Sequence, residues 1–576
     1  ALVDRGAVVV AITPFGATGP LSAWHGSDLV HFAMGGYLYM TGEREGEPLG
    51  PSAPLQTYLH AGVQALAATL VALRRRRLTG EGARIDQSIR DTATWMLTHT
   101  YQHWDMQRVN LRRNGTRRDM GAKRRLRTLY RAKDGHLVWM FTTGHLGAPS
   151  MRRLVEWMRE EQADVRPFEG IDWESMDVLD RDEGMLGRLE SAFEAFFETR
   201  TRAEMLEWCT ANGLMLAPVA TIPDVWEDPH LHARQSWIAR AVPPFGRLRL
   251  PGAPVRIEGV AFVRPEAGPS PPNPWEPRES AARPGPATAK PLTGVRVVDL
   301  GTTLAAPTVT RHLADLGADV IKVESVAHPD TLRVGTPYAE GFAGLDRSGY
   351  FGAYNAGKRS LACDLRISEG RQLLRRLLEH ADVLVQNFTP GVLERLGLSL
   401  AEIRSWNPRL VVASHCLSGQ TGPRRTQRGY GQVAGATTGW YELTGEEHGE
   451  PIGPYSAYTD FLSWPFLLSA VLVALEVREA TGFAPAIDHA QVESSLHFLA
   501  PLLVSYELTG DPAGRRLHAL DLAAPRSPSC VSRPCSHTIT AHFPPVPPRS
   551  ARSFPSASRS PCPSCPRWDV SRRSRA

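Results

Sequence analysis

The residue types able to do covalent or binding chemistry lie mostly in the second half of the chain. Asp460 ends PYSAYTD (454–460), just ahead of the apolar run FLLSAVLVALEVR (466–478). A carboxylate can attack an activated carbonyl as a nucleophile, although an Asp at a helix start more commonly serves as an N-cap. Lys358 sits in NAGKRS (355–360), a cation suited to a phosphate or simply to a solvated basic turn. Asn387 and Phe388 belong to QNFTPG (386–391), an amide beside a ring that either stacks on a ligand or packs at a strand end, and Arg395 follows in ERLG (394–397). His415 and Cys416 precede SGQTG (418–422), where packing or loop roles come first; the loop lacks the Lys and Ser/Thr of a phosphate-binding loop. Cys562 and Cys565 form a lone CxxC, a weak zinc or redox signal without a second pair. The sequence shows neither a metal-ligand cluster nor a dinucleotide fingerprint.

These residues need a frame, and the pattern around them predicts an α/β one. A buried strand is expected over 295–300, a helix over 308–316 ended by Gly317, and a strand over 319–324, which together make a βαβ unit. A helix over 369–380 and strands over 382–386 and 410–414 follow, and the run 466–478 reads as a core helix. Such alternation favours an open, Rossmann-like parallel sheet with helices on both faces.

The chain also repeats. ALAATLVALR (65–74), LTG (78–80) and Ile85-Asp86 recur 402 residues later as LLSAVLVALE (467–476), ATG (480–482) and Ile487-Asp488; GATGP (16–20) recurs as GQTGP (419–423) at a shift of 403. An ordered series at a nearly constant shift marks a tandem duplication. The division expected is 1–127 as the remainder of a first large domain and 128–225 as a smaller α/β domain. A return segment follows over 226–262, a Pro-rich linker over 263–290, a second large domain over 291–513, and a tail over 514–576. The first copy is expected to lack its beginning and the second its end.

Length and composition fit this: 576 residues, 42% hydrophobic and 22% charged, enough for several packed domains. No run approaches the roughly 18 uninterrupted apolar residues of a membrane span, and the absence of an export signal makes the cytoplasm the expected location. The net charge of +5 is misleading, because residues 515–576 hold 11 Arg against Asp521 and Asp569, leaving the body slightly acidic. Nucleic-acid binding is therefore not expected. The tail, rich in Ser, Pro, Arg and Cys, reads as disordered or as frame-shifted sequence.

The motifs PLTGVRVVDL (291–300), LGADVIKVE (316–324), NAGKRS (355–360), QNFTPG (386–391) and ERLG (394–397), in this order, resemble the class III CoA-transferases, the formyl-CoA, carnitine and bile-acid CoA-transferase group. YRAKDG (130–135), Ala217-Pro218-Val219, DPHL (228–231) and Arg234 fit its smaller domain and return segment, so the resemblance covers nearly all of residues 1–513. It implies two copies arranged like an interlocked dimer within one chain, with further homo-oligomerisation left open, and transfer of CoA from an acyl-CoA to a carboxylic acid acceptor. CoA would be a substrate, with no separate cofactor, no metal, and no nucleic-acid or membrane partner. It assigns the nucleophile to Asp460 and CoA binding to Lys358, Asn387, Phe388 and Arg395. Thr57 or Tyr58 stands at the place of Asp460 in the first copy, implying one catalytic site per chain. Leu304 replaces a Gln and Ser325 an Arg of the formyl-CoA enzyme, which argues against formyl or oxalate chemistry. Two alternatives accompany this reading. One is an α-methylacyl-CoA racemase, whose His would fall at Tyr430, a poor substitute as a base; the other is an inactive acyl-CoA-binding fragment.

Overall fold

The first strand, β1 (Val8–Thr13), is a β-branched run of the kind that suits a sheet. The computed structural model to which it belongs describes residues 2–119, 125–176, 183–261 and 290–515; nearly all of the expected linker, and the expected tail from 516 onward, lie outside the described residues. β1 leads to helix α1 (Gln56–Thr79), which stops at Gly80 because that residue takes a left-handed φ of 77°. The chain then returns as β2 (Ala83–Ser88), parallel to β1. A smaller layer follows, an antiparallel sheet of β3 (Leu129–Ala132), β4 (Gly135–Trp139) and, after three helices, β5 (Leu216–Pro218). Those helices, α2 (Gly144–Glu160), α3 (Glu183–Phe197) and α4 (Arg202–Asn212), close over an aromatic core that includes Tyr130, Trp139, Phe193 and Phe197. The two-residue strand β6 (Arg256–Ile257) ends this half.

The second half is a parallel α/β layer. Its elements are β7 (Arg296–Asp299), α5 (Ala305–Asp315), β8 (Asp319–Glu324), β9 (Arg359–Ala362), α6 (Ser368–Leu378), β10 (Val383–Gln386), β11 (Val411–Cys416), α7 (Gly431–Thr437), α8 (Tyr458–Thr481), β12 (Ala486–Ala490) and α9 (Gln491–Thr509). The seven strands lie in the order β6-β12-β11-β10-β7-β8-β9, parallel except for β6. β10 is buried on both faces, which is why it reads as a continuous apolar run instead of alternating.

Two helices start earlier than the sequence predicts, and in both cases a proline marks the discrepancy. α5 begins at Ala305, with Pro307 in its first turn, where the missing N–H has no intrahelical partner in any case. α8 begins at Tyr458 and runs straight through Pro465, its packing in the core overriding the lost hydrogen bond. Asp460 thus lies inside the first turn of a 24-residue helix, not ahead of it. α8 is long and apolar enough to cross a bilayer, but it is packed within the protein.

The repeat survives in three dimensions. Val9 pairs with Arg84 as Val412 pairs with Ala486, so β1/β2 and β11/β12 share one register at the shifts of 403 and 402. Equivalent residues of α1 and α8 touch each other: Gln56 accepts from the Tyr458 hydroxyl (3.3 Å), Arg74 pairs with Glu476 (2.6 Å) and Arg77 with Glu479. Contacts between equivalents at both ends of helices about 36 Å long mean that α1 and α8 run side by side in the same direction, related by a two-fold axis along their length. The halves also interlock, since β6 of the first adds to β12 of the second. Beside that joint the buried Arg234 guanidinium holds Glu493 through two nitrogens (3.0 and 2.6 Å) and Asp488 through a third (3.0 Å).

Candidate functional site

Strands of a parallel sheet end together, and the loops beyond their carboxyl ends form the natural crevice of such a fold. Here β7 leads into Thr302–Ala305, β10 into Asn387, β11 ends at His415 and Cys416, and β12 hands over to Gln491. With Leu417, Gly429, Tyr430 and Asp460 these residues line a cavity of about 130 Å³.

Asp460 is brought there by α8, whose first turn favours a negative charge. Its carboxylate is buried; Oδ1 accepts from Gln491 Nε2 at 2.5 Å and Oδ2 faces the Gly431 amide at 3.4 Å. Gln491 Nε2 also lies 3.1 Å from His415 Nε2, His415 Nδ1 lies 2.8 Å from His489 Nδ1, and His489 Nε2 lies 3.1 Å from the Ser494 hydroxyl. Burial lowers His415 to about 4 and His489 well below the ordinary histidine range, so both rings are neutral near pH 7. Burial likewise pushes the Cys416 thiol up, leaving it unionised.

The loop facing Asp460 is clamped on every side. Gly301 donates to Asp299 Oδ1 (2.8 Å) and its carbonyl accepts from Lys322 Nζ (2.6 Å). Asn387 grips Thr302 twice, accepting from its N–H and donating to its carbonyl, each at 2.8 Å. Thr303, at a left-handed φ of 66°, donates to Asp330 (3.1 Å). Asp330 pairs in turn with Lys322 (2.8 Å).

Of the residues singled out in the sequence, Asn387 therefore stands in the cavity with Asp460. Phe388 is half-buried at the end of β10 and lines a neighbouring cavity of about 390 Å³, with its carbonyl accepting from the Cys416 thiol at 3.3 Å. Arg395 is exposed on the turn beyond. Lys358 is neither a solvated turn residue nor a cation offered to solvent. Its ammonium is buried on Asp299 (2.8 Å), Asn355 Oδ1 (2.8 Å) and the Pro307 carbonyl (3.0 Å), which together engage an ammonium's three hydrogens. Burial lowers Lys358 to about 8, while burial of Asp299, which alone would raise that carboxyl, is outweighed by the Lys358 and Lys322 ammoniums. Leu304 lines the cavity where the formyl-CoA pattern has a Gln, and His415 and Cys416, for which the sequence favoured packing or loop roles, line it too.

The first half repeats the backbone but not the chemistry. Tyr58 occupies the place of Asp460 and donates to the Gly26 carbonyl (3.1 Å), while Thr57 is tied to Asp28. Ile12, Gln87 and Ile89 stand at the places of His415, His489 and Gln491.

The sequence model of CoA-transferase family III matches residues 5–272 and again 292–528. The chain belongs to CoA-transferase family III. A probable CoA-transferase of Mycobacterium tuberculosis is 28% identical over 517 residues, covering 87% of this chain and 62% of that protein. A succinate–glutarate CoA-transferase of Agrobacterium fabrum is 37% identical over 224 residues, covering 38% of this chain and 56% of its own length. A succinyl-CoA:glutarate CoA-transferase of Mus musculus is 36% identical over 228 residues, covering 39% of this chain and 51% of its own. The chain thus spans between half and two thirds of these family III relatives. Among solved structures, a CAIB/BAIF family protein from Brucella suis is 37% identical over 39% of this chain and 60% of its own, with a TM-score of 0.37.

Proposed function

We propose that this family III chain transfers CoA from an acyl-CoA thioester to a free carboxylic acid, with Asp460 as nucleophile. The observation that carries the reading is a buried carboxylate, in the first turn of α8, opening on a cavity at the strand ends where the first half offers only Tyr58. A carboxylate oxygen of Asp460 attacks the thioester carbonyl, the C–S bond breaks and CoA leaves as a thiolate. The thiolate attacks the Asp460 carbonyl of the mixed anhydride, releasing the donor acid and leaving an aspartyl-CoA thioester. The acceptor carboxylate attacks that thioester and expels the thiolate, which then takes the acceptor acyl group and frees Asp460. No net proton is consumed. On this reading residues 291–513 form the CoA-binding large domain with Asn387, Phe388 and Arg395 along the bound CoA, 1–127 the remainder of its partner and 128–225 the smaller domain. Lys358 supports the wall of the site from within.

The names of the relatives put succinyl-CoA first among donors and dicarboxylic acids such as glutarate first among acceptors. Intact mass after mixing with succinyl-CoA tests the proposal. A CoA-sized, hydroxylamine-labile adduct is expected on the wild-type chain and not on Asp460→Ala. An adduct that persists on Asp460→Ala, or none on the wild type with any acyl-CoA offered, refutes it.

A further inference from the structure

Gln491 is the first residue of α9 and is buried between Asp460 and His415. Its amide nitrogen has two hydrogens and its oxygen only lone pairs. Asp460 as a carboxylate accepts only, so the contact at 2.5 Å requires the nitrogen of Gln491 on that side; the reversed amide would set two acceptor oxygens against each other. The second hydrogen then points at His415 Nε2, which must be the bare nitrogen of that ring. His415 Nδ1 consequently carries the hydrogen and donates to His489 Nδ1, so His489 is protonated on Nε2 and donates to Ser494, whose hydroxyl is 3.2 Å from the Ala490 and Gln491 carbonyls. On the other side Thr459, next to Asp460, has its hydroxyl within reach of both Gln491 Oε1 (3.0 Å) and the Gly431 carbonyl (2.9 Å). From Gln491 through His415 to His489 each hydrogen has one acceptor facing it, and the chain ends at the Ser494 hydroxyl among backbone carbonyls.

We infer that Gln491 is a positioning residue for Asp460, its side-chain amide held by His415, His489 and Thr459 so that the carboxylate is kept in one orientation toward the cavity. The inference rests on the transferase reading above. The geometry gives the two histidines a role without proton transfer: fixed as neutral tautomers, they act as a rigid backing for one amide. Among the described residues no such amide and histidine chain backs Tyr58, since Ile12 and Ile89 replace His415 and Gln491. That comparison also supplies the test, because the first half already accommodates isoleucine at the start of the equivalent helix.

The variant Gln491→Ile removes the donor while keeping a residue this local fold accepts; Gln491→Met, unbranched and of similar length, backs it up should the first yield no folded protein. Adduct formation with succinyl-CoA is followed by intact mass and normalised to folded protein by thermal denaturation. The expected result is about a 100-fold slower rate of adduct formation per folded molecule, the scale on which misplacing a reacting group acts, with KM for succinyl-CoA within about threefold; the melting midpoint falls as well, because the buried Asp460 carboxylate loses a donor. A role confined to the fold predicts a lowered midpoint with an unchanged rate per folded molecule, and that result overturns the inference while leaving the transferase reading intact. No adduct on the wild type overturns both.

Discussion

The Lys358 ammonium is held from three sides, by Asp299, Asn355 and the Pro307 carbonyl. A lysine beside an arginine after Gly357 has the look of a surface cation, and nothing local in NAGKRS reveals that β7 places Asp299 where the ammonium can reach it. Long-range contacts of this kind, 59 residues apart in sequence, leave no periodic trace. The consequence is measurable. Replacing Lys358 by Met takes the ion-pair partner from the buried Asp299 carboxylate, leaving it the Lys322 charge and the Gly301 and Thr310 donors, a loss of up to about 3–5 kcal/mol; the companion change Asp299→Asn in the same chain should restore part of it. Denaturant titration of the single and double variants reads this directly. Were the ammonium mainly a phosphate ligand, Lys358→Met would weaken CoA binding and leave the denaturation midpoint where it was. Asp460 could be put forward as a candidate from sequence because its motif is contiguous. Gln491 and His489 could not, because they matter only once β11, β12 and α8 have brought them to one place.

At the level of elements, strand positions were readable because continuous apolar runs bounded by glycine have few other uses, and β8 falls where the pattern put it. The prolines caused the errors: a proline usually opens or breaks a helix, and only the surrounding packing shows that α8 continues through Pro465. The constant shift between repeats carried more information than any single element, for it foretold that α1 and α8 are equivalents. Their lateral pairing follows from that symmetry, and it makes the coupling between residues 74 and 476 informative. Arg74 is 7% exposed and bonds Glu476, Glu479 and the Pro291 carbonyl. Arg74→Ala should cost about 2 kcal/mol, the scale of a hydrogen bond to a charged group. Because residues 74 and 476 face each other across the axis, Arg74→Ala and Glu476→Ala combined should cost less than the sum of the two alone. A double-mutant cycle on denaturation free energies measures the coupling; additive losses would mean the two helices do not pair through these equivalents.

At the scale of the molecule, the seam between the halves is studded with buried neutral histidines. His60 of α1 lies 3.0 Å from the Tyr458 hydroxyl of α8, His230 lies 2.8 Å from the Ser418 carbonyl, and His312 stacks on Trp464 beside Trp95. Burial lowers His60 to about 3 and His312 to about 4; burial together with the Arg424 guanidinium lowers His230 to about 4. Since each folded value lies below the ordinary 6.5, the unfolded chain takes up protons first as pH falls. Stability from these groups is full above about pH 6.5 and declines as the pH drops toward 4, where each has lost on the order of 2–3 kcal/mol. Denaturation midpoints between pH 7 and 4.5 should therefore fall steeply. Because three of the groups join the halves, hydrogen exchange in α1 and α8 should accelerate before that in the smaller antiparallel layer built on Trp139 and Phe193. His312→Leu, which keeps an apolar contact with Trp464 and removes one titrating group, should flatten the pH slope by about one proton's worth. A midpoint that stays level down to pH 5 would show that these rings are already solvated, and that the two halves are joined less tightly than the shared helices and the added strand β6 imply.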